Sequence, residues 1–218
     1  MVRSRQTLGV LRYFCLLSAF VAVLDAQPTV SSLAEKPPAD LAPAIASLLQ
    51  GSGAKAVVGG ATLEVWFVQA IATNGDGPGW SNVESGTLVG AMRVTGAFKE
   101  IRGKVVAPGV YTLRYGLQPQ NGDHLGISTF REFLVISPAS IDKDPKVLGF
   151  DGAVALSKPV IGTSHPAALS LDPPEDAPGA VLSTYKNDVG HDGVVFELPR
   201  RPAGTIKFGL IVSGLIVH

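Results

Sequence analysis

Three histidines stand in predicted loops and could together bind a metal ion. His124, His165 and His191 each lie beside glycine, proline or aspartate, which favour turns. Imidazole nitrogens bind Zn²⁺ and Cu²⁺, and the carboxylate of Asp123 or Asp192 could add a ligand or orient an imidazole. If the three loops converge, the histidines predict a zinc or copper site and, through a metal-activated water, a hydrolase. The alternative is that each imidazole forms hydrogen bonds within its own turn, because histidines so far apart give no spacing signature.

Trp80 is a second candidate for ligand binding, because its indole ring stands in a glycine-rich loop. Gly75, Gly77 and Gly79 precede it. An exposed aromatic ring in such a loop can stack on a sugar, so Trp80 predicts a carbohydrate-binding surface with polar side chains around it. The same glycines lack the spacing and the flanking strand and helix of a dinucleotide-binding loop, so they predict a turn.

The usual sequence signatures of enzymes are absent. The chain has no Gly-x-Ser-x-Gly elbow, no His-Glu-x-x-His helix and no phosphate loop ending in Gly-Lys-Ser/Thr. Asp142 and Asp144 could bind calcium, and paired carboxylates could hydrolyse a glycoside, but the sequence cannot place such a pair at the required separation. Polar turns and cross-strand ion pairs are the alternative roles for these side chains. The sequence therefore favours a non-catalytic binding or accessory module over an enzyme.

Charge and composition exclude two broad classes of protein. The chain has 18 basic and 18 acidic side chains and a formal net charge of +0, so it lacks the excess of basic residues that nucleic-acid binding needs. Because 46% of its residues are hydrophobic, the chain can form a buried core rather than remain disordered. The 25 glycines and 16 prolines favour many short elements over a few long helices.

Residues 1–26 have the layout of a secretory signal peptide. Arginines precede an apolar run over residues 13–24, and Ala26 is a small residue before a cut at Gln27. The run is shorter than the roughly 20 residues of a membrane-spanning helix, so no span is expected after cleavage. Cleavage also removes Cys15, the only cysteine, and with it thiol and iron–sulfur chemistry. The sequence thus predicts an extracytoplasmic protein, periplasmic or secreted, with a ligand at the cell surface or in the periplasm.

The chain after the signal is predicted to form one mainly β domain. Residues 27–39 contain three prolines and no apolar period, which predicts a flexible leader, and residues 40–218 form the domain. From residue 54 onward, short runs of alternating apolar and polar residues are separated by turn residues, as in half-buried strands. About nine such runs predict an antiparallel β-sandwich. Short helices are expected over residues 40–50 and 151–158.

Part of the chain resembles a family of uncharacterised exported bacterial proteins. Residues 104–115 read Lys-Val-Val-Ala-Pro-Gly-Val-Tyr-Thr-Leu-Arg-Tyr, and residues 122–126 and 131–134 continue the same segment. Residues 162–167 resemble the second segment of that family. The Pro-Gly-x-Tyr-x-Leu fragment alone is a turn followed by an alternating strand, which many β-sandwich modules share. The resemblance implies export and an all-β fold, and it implies no catalytic residues because the family has no assigned activity.

Overall fold

The computed structural model describes residues 27–120, 130–163 and 165–215. Within these residues the chain forms 13 strands and two helices. The strands are β1 (Thr29–Leu33), β2 (Gly53–Val58), β3 (Ala61–Phe67), β4 (Ile71–Ala72), β5 (Leu88–Thr95), β6 (Phe98–Lys99), β7 (Val105–Val106), β8 (Gly109–Leu117), β9 (Glu132–Pro138), β10 (Ala167–Asp172), β11 (Thr184–Lys186), β12 (Asp192–Arg201) and β13 (Thr205–Ser213). The helices are α1 (Pro43–Ala46) and α2 (Gly149–Ile161). The prediction of a mainly β protein is therefore confirmed.

Eleven of the strands form one continuous, curled sheet. Its order is β1-β2-β3-β5-β8-β9-β10-β13-β12-β11, and every pair along this path is antiparallel. The short β4 adds to β12 in parallel, and β6 pairs with β7 in a separate hairpin. Strands up to β10 follow the order of the chain, and the shortest connections between neighbouring strands, β2–β3 and β12–β13, are turns of the kind that glycine and proline favour.

The inward faces of the early and late strands share one apolar core. Phe67 on β3 packs edge to face against Phe196 on β12 and Phe208 on β13, with ring centroids 4.9 and 5.8 Å apart. The sheet therefore curls until its early strands face its late strands. The alternation seen in the sequence predicts these inward faces correctly, because the following residues are all buried: Leu63, Val65, Phe67, Tyr111, Leu113, Tyr115, Ile206, Phe208, Leu210 and Val212.

Residues 27–39 include an ordered edge strand, and the prediction of a flexible leader was wrong. Thr29–Leu33 forms β1 and pairs antiparallel with β2. The next residues cover the outer face of β3, where the indole Nε1 of Trp66 donates to the backbone oxygen of Glu35 at 2.8 Å. The guanidinium of Arg93 contacts the Glu35 carboxylate at 2.9 Å. Proline does not prevent this arrangement, because the prolines flank the strand and do not interrupt its hydrogen bonds.

The two predicted helices exist, but their bounds differ from the prediction. The first spans only Pro43–Ala46, and no side chain, including that of Asp40, caps it. The second extends over Gly149–Ile161 and ends at Gly162, whose φ of 65° is typical of a helix C-cap. Within the described residues, neither helix has the length and apolar character needed to cross a bilayer. The longer helix packs against β9 and also contacts β8 and β10, whereas the short helix contributes the buried side chain of Ile45 to the core.

Candidate functional site

Loops from several parts of the chain meet at one end of the curled sheet and enclose a cleft. The register of the strands places there the β2–β3 turn, the β11–β12 turn and the end of β13. The space between these loops is about 550 Å³. We name it the loop-end cleft, and its lining residues are Gln27, Val58, Gly59, Gly60, Ala97, Phe98, Lys99, Lys186, Gly190, Asp192, Val212, Ser213, Gly214 and Leu215. Loops held by a rigid sheet are the usual place for a binding site.

Two lysines and one aspartate give the cleft its charge. The Lys186 ammonium contacts the Asp192 carboxylate at 2.6 Å and donates to the backbone oxygen of Gly190 at 3.2 Å. Lys99 is exposed and forms no ion pair with any residue that the structure describes. One positive charge therefore remains in the lining after the Lys186–Asp192 pair is formed, and it attracts anions.

A glycine pair keeps one wall of the cleft open. Gly59 adopts a φ of 54° in the two-residue turn between β2 and β3, a left-handed conformation that glycine adopts without strain. A Cβ atom built on Gly60 would meet no heavy atom within 4 Å. Because both residues lack side chains, the space beside this turn stays free for a ligand.

The β6–β7 hairpin presents Lys99 to the cleft, and a buried carboxylate holds this hairpin together. Glu100 is 0% exposed, and it accepts hydrogen bonds from the backbone N–H of Arg102 at 3.1 Å and of Lys104 at 3.2 Å. The Arg102 guanidinium donates to the same carboxylate at 2.9 Å. The sequence predicts one continuous strand over residues 98–106, and this was wrong because Glu100 turns inward and closes a tight turn.

A cluster of three polar side chains fixes the β11–β12 turn. Asp172 is 3% exposed, and its Oδ2 accepts hydrogen bonds from the Tyr185 hydroxyl at 2.9 Å and from the Asn187 Nδ2 at 3.0 Å. Asn187 in turn accepts a hydrogen bond from the backbone N–H of His191 at 2.9 Å. The cluster thereby positions the turn that carries Lys186 and the other cleft residues of this segment.

Burial changes the acid–base behaviour of this cluster. Desolvation raises the pKa of the Asp172 carboxyl, although the hydrogen bonds from Asn187 and Tyr185 oppose the change. Desolvation also raises the pKa of the Tyr185 hydroxyl, and the neighbouring carboxylate of Asp172 adds to this effect. Asp172 therefore binds its proton more tightly in the folded protein than in the unfolded chain.

We expect Asp172→Asn to change how stability depends on pH. Because the pKa is raised in the folded state, Asp172 makes its full contribution to the free energy of unfolding below its unfolded pKa. This contribution is lost as the pH rises through the folded pKa. As the pH rises above about 4, the usual pKa of an aspartate, the wild type should therefore lose stability relative to Asp172→Asn. Urea unfolding across this pH range measures the difference. Asp188→Asn, at an exposed aspartate of the same turn, is the control, and curves for Asp172→Asn that stay parallel to the wild type would contradict the expectation.

Only two of the three candidate histidines lie among the residues that the structure describes. His124 and Asp123 lie outside them, whereas His165 precedes β10 and His191 lies in the β11–β12 turn. The described ranges contain no group of three or more His, Cys, Asp or Glu residues able to hold a metal ion. The zinc or copper site stays a prediction.

Trp80 is buried, and the prediction of an exposed ring was wrong. The residue is only 6% exposed. Its ring stacks on the ring of Tyr115, with the ring centroids 5.1 Å apart and an angle of 6° between the ring planes. Phe208 packs against its edge. The glycine-rich loop thus folds its aromatic ring into the core, where burial of such a large apolar surface is favourable. Trp80 does not present a platform for a sugar.

One residue of the predicted site and several unpredicted residues line the cleft. Asp192 was a candidate ligand residue, and the structure places it in the cleft wall beside Lys186. Lys99 and Phe98 belong to no recognisable motif, so nothing in the sequence selects them as site residues. The one sequence feature that points toward the cleft is the pair Gly59 and Gly60. It predicts a turn but does not show which part of the protein the turn faces.

The fold and the cleft define a class of protein: a mainly β protein with an 11-stranded curled sheet and a loop-enclosed cleft at one end. No family profile, no curated protein and no solved structure matches the chain. Export and the resemblance to exported bacterial proteins therefore stay predictions.

Proposed function

We propose that this protein is a non-catalytic, exported binding module that holds a small anionic molecule in the loop-end cleft. The observation that carries the proposal is the exposed ammonium of Lys99, which has no carboxylate partner among the described residues and lines a cleft of about 550 Å³, a volume within the roughly 300–1,000 Å³ of small-molecule sites. The early and late strands of the curled sheet act as the two layers of a β-sandwich. Their shared core gives the loops a rigid support.

The lining of the cleft supports an anionic ligand. Lys99 supplies a positive charge with no carboxylate partner among the described residues, and Ser213 adds a hydroxyl group. Phe98 and Val212 also line the cleft, although each is only 2% exposed. A few placed polar groups are what orients one small molecule in its site.

The buried charged groups support a binding role over catalysis. Arg114 pairs with Asp142, Glu100 holds the β6–β7 hairpin, and Asp172 holds the β11–β12 turn. Each of these side chains has protein partners that account for its burial. Their chemistry is therefore used to position loops and strands.

The predicted signal supports a ligand outside the cytoplasm. Gln27, the first residue after the predicted cut, lies in the wall of the cleft. Cleavage after Ala26 would therefore leave the amino terminus of the processed chain at the binding site. The ligand in this proposal is a component of the periplasm or of the cell surface.

A screen of small solutes by NMR tests the proposal. We expect small carboxylates and phosphates to shift the backbone amide signals of Gly59, Gly60 and Lys99 in the ¹⁵N-labelled processed protein, and we expect neutral sugars to leave them unchanged. The physical reason is the unmatched charge of Lys99, so the shifts should weaken as salt is added. The matched control is the neutral amide of the best carboxylate. Shifts confined to residues outside the cleft, or no shifts with any anion, would contradict the proposal.

A further inference from the structure

Gln27 occupies an unusual position at the edge of the cleft. The residue is exposed and lines the loop-end cleft, and the next residue, Pro28, is buried. Its carboxamide forms no hydrogen bond with any residue that the structure describes. The strand that follows is fixed, because Thr29 pairs with Val57 of β2. The side chain of Gln27 is thus free to react, while its backbone is held at the cleft wall.

Removal of the predicted signal would expose a reactive pair of groups on this one residue. Cleavage after Ala26 gives Gln27 a free α-amine, which is joined to its own side-chain carbonyl carbon through a path of five atoms counting both ends. Attack of the amine on that carbon closes a five-membered lactam. A new bond forms between the α-nitrogen and the side-chain carbon, and the bond to the side-chain nitrogen breaks. The proton lost by the amine leaves with that nitrogen as ammonia, so no oxidant, reductant or cofactor is required.

We propose that Gln27 is a modification site and that the processed chain begins with a pyroglutamyl ring in the wall of the loop-end cleft. This inference rests on the export that the proposed function includes. Cyclisation removes the positive charge of the α-amine from the cleft, as blocking of an amino terminus does in general. The lactam instead offers one N–H donor and one carbonyl acceptor to a ligand, and Lys99 remains the positive group that faces the anion.

The experiment uses the full 218-residue chain, expressed with residues 1–26 in place in an exporting bacterial host. Protein recovered from the periplasm is digested after glutamate, and the peptide Gln27–Glu35 is examined by tandem mass spectrometry. We expect a peptide that begins at residue 27 and lacks the mass of one ammonia. In isoelectric focusing, the intact protein should carry one positive charge less than an unblocked chain.

Gln27→Asn is the matched control. Its side chain is one carbon shorter, so the amine could close only a strained four-membered ring. Pro28 has no N–H that could attack the asparagine side chain from the other direction. The variant should therefore keep its free amine and its full mass, and it should focus at a higher pH than the wild type.

Two results would overturn the inference in different ways. A wild-type peptide that begins at Gln27 with its full mass would refute the cyclisation and leave export intact. A peptide that begins at any other residue would refute the cut before Gln27 and with it the cyclisation, whereas failure to recover the protein from the periplasm would refute the export on which the proposed function also depends. If Gln27 is cyclised but the protein binds none of the anions in the screen, only the proposed ligand is refuted.

Discussion

Replacement of Arg114 by methionine is expected to lower the free energy of unfolding by about 3–5 kcal/mol. The Arg114 side chain is 0% exposed, and its partner Asp142 is 1% exposed. Nε and Nη2 of the guanidinium contact the two carboxylate oxygens at 2.7 and 2.8 Å. Methionine would fill most of the space but would leave the charge of Asp142 buried without a partner. That uncompensated charge is the reason for the large effect.

The guanidinium also joins two separate parts of the backbone, Gly86 and the segment after β9. It donates to the backbone oxygens of Gly86 at 2.7 Å, Lys146 at 2.8 Å and Asp144 at 2.5 Å. Thr112 donates its hydroxyl to the same Asp142 carboxylate at 2.5 Å. The segment that follows β9 is therefore fastened over the outer face of β8. This also shows that the Asp142 carboxylate, a possible calcium ligand by sequence, is occupied by Arg114.

Urea unfolding of Arg114→Met, Asp142→Leu and the double variant measures the effect. Each single variant leaves one buried charge, whereas the double variant leaves none, so its loss should be smaller than the sum of the two single losses. Lys143→Met is the control, because Lys143 is an exposed cation of the same segment. It should change stability by no more than about 0.5 kcal/mol. A loss in Arg114→Met as small as in Lys143→Met would contradict a role for the buried pair.

The sequence predicts the inward faces of the strands but not what covers their outer faces. Alternation places Tyr111, Leu113 and Tyr115 in the core, which is correct because the period of a strand is local. The same alternation assigns Arg114 to solvent, and it is buried because a segment about 30 residues later packs over it. The prediction for residues 27–39 was wrong for a related reason. Their composition suggests flexibility, but the pairing of β1 with β2 determines their structure.

The candidate site depends even more on contacts that are distant in sequence. The two adjacent glycines Gly59 and Gly60 predict a turn, and the turn-forming residues next to Asp192 in the sequence predict a loop. Only the register of β12 with β13 and the curl of the sheet bring these loops to the same cleft. Trp80 shows the opposite case, because a glycine-rich loop that suggested exposure folds its ring against Tyr115.

Gly60→Trp is expected to weaken binding of the anion by roughly tenfold or more, which corresponds to ~1.4 kcal/mol. The indole would occupy space that a ligand needs, because Gly60 lines the cleft. The fold should tolerate the change, since a Cβ at this position would meet nothing within 4 Å and the φ of Gly60 is not left-handed. The melting temperature of the variant should therefore stay close to that of the wild type.

Gly51→Trp is the matched control for this substitution. Its Cβ would also meet nothing within 4 Å, and its φ is also outside the left-handed region. Gly51 is not among the residues that line the loop-end cleft. The two variants thus add the same side chain to similarly open glycines, and they differ in whether the added ring enters the cleft.

Titration calorimetry with the tightest anion from the screen is the most direct test that the loop-end cleft is the binding site. The ligand is titrated into the wild type, Gly60→Trp and Gly51→Trp under identical salt and pH. We predict that Gly51→Trp binds like the wild type and that Gly60→Trp loses roughly tenfold or more in affinity. Equal affinity in all three proteins would contradict the assignment of function to this cleft.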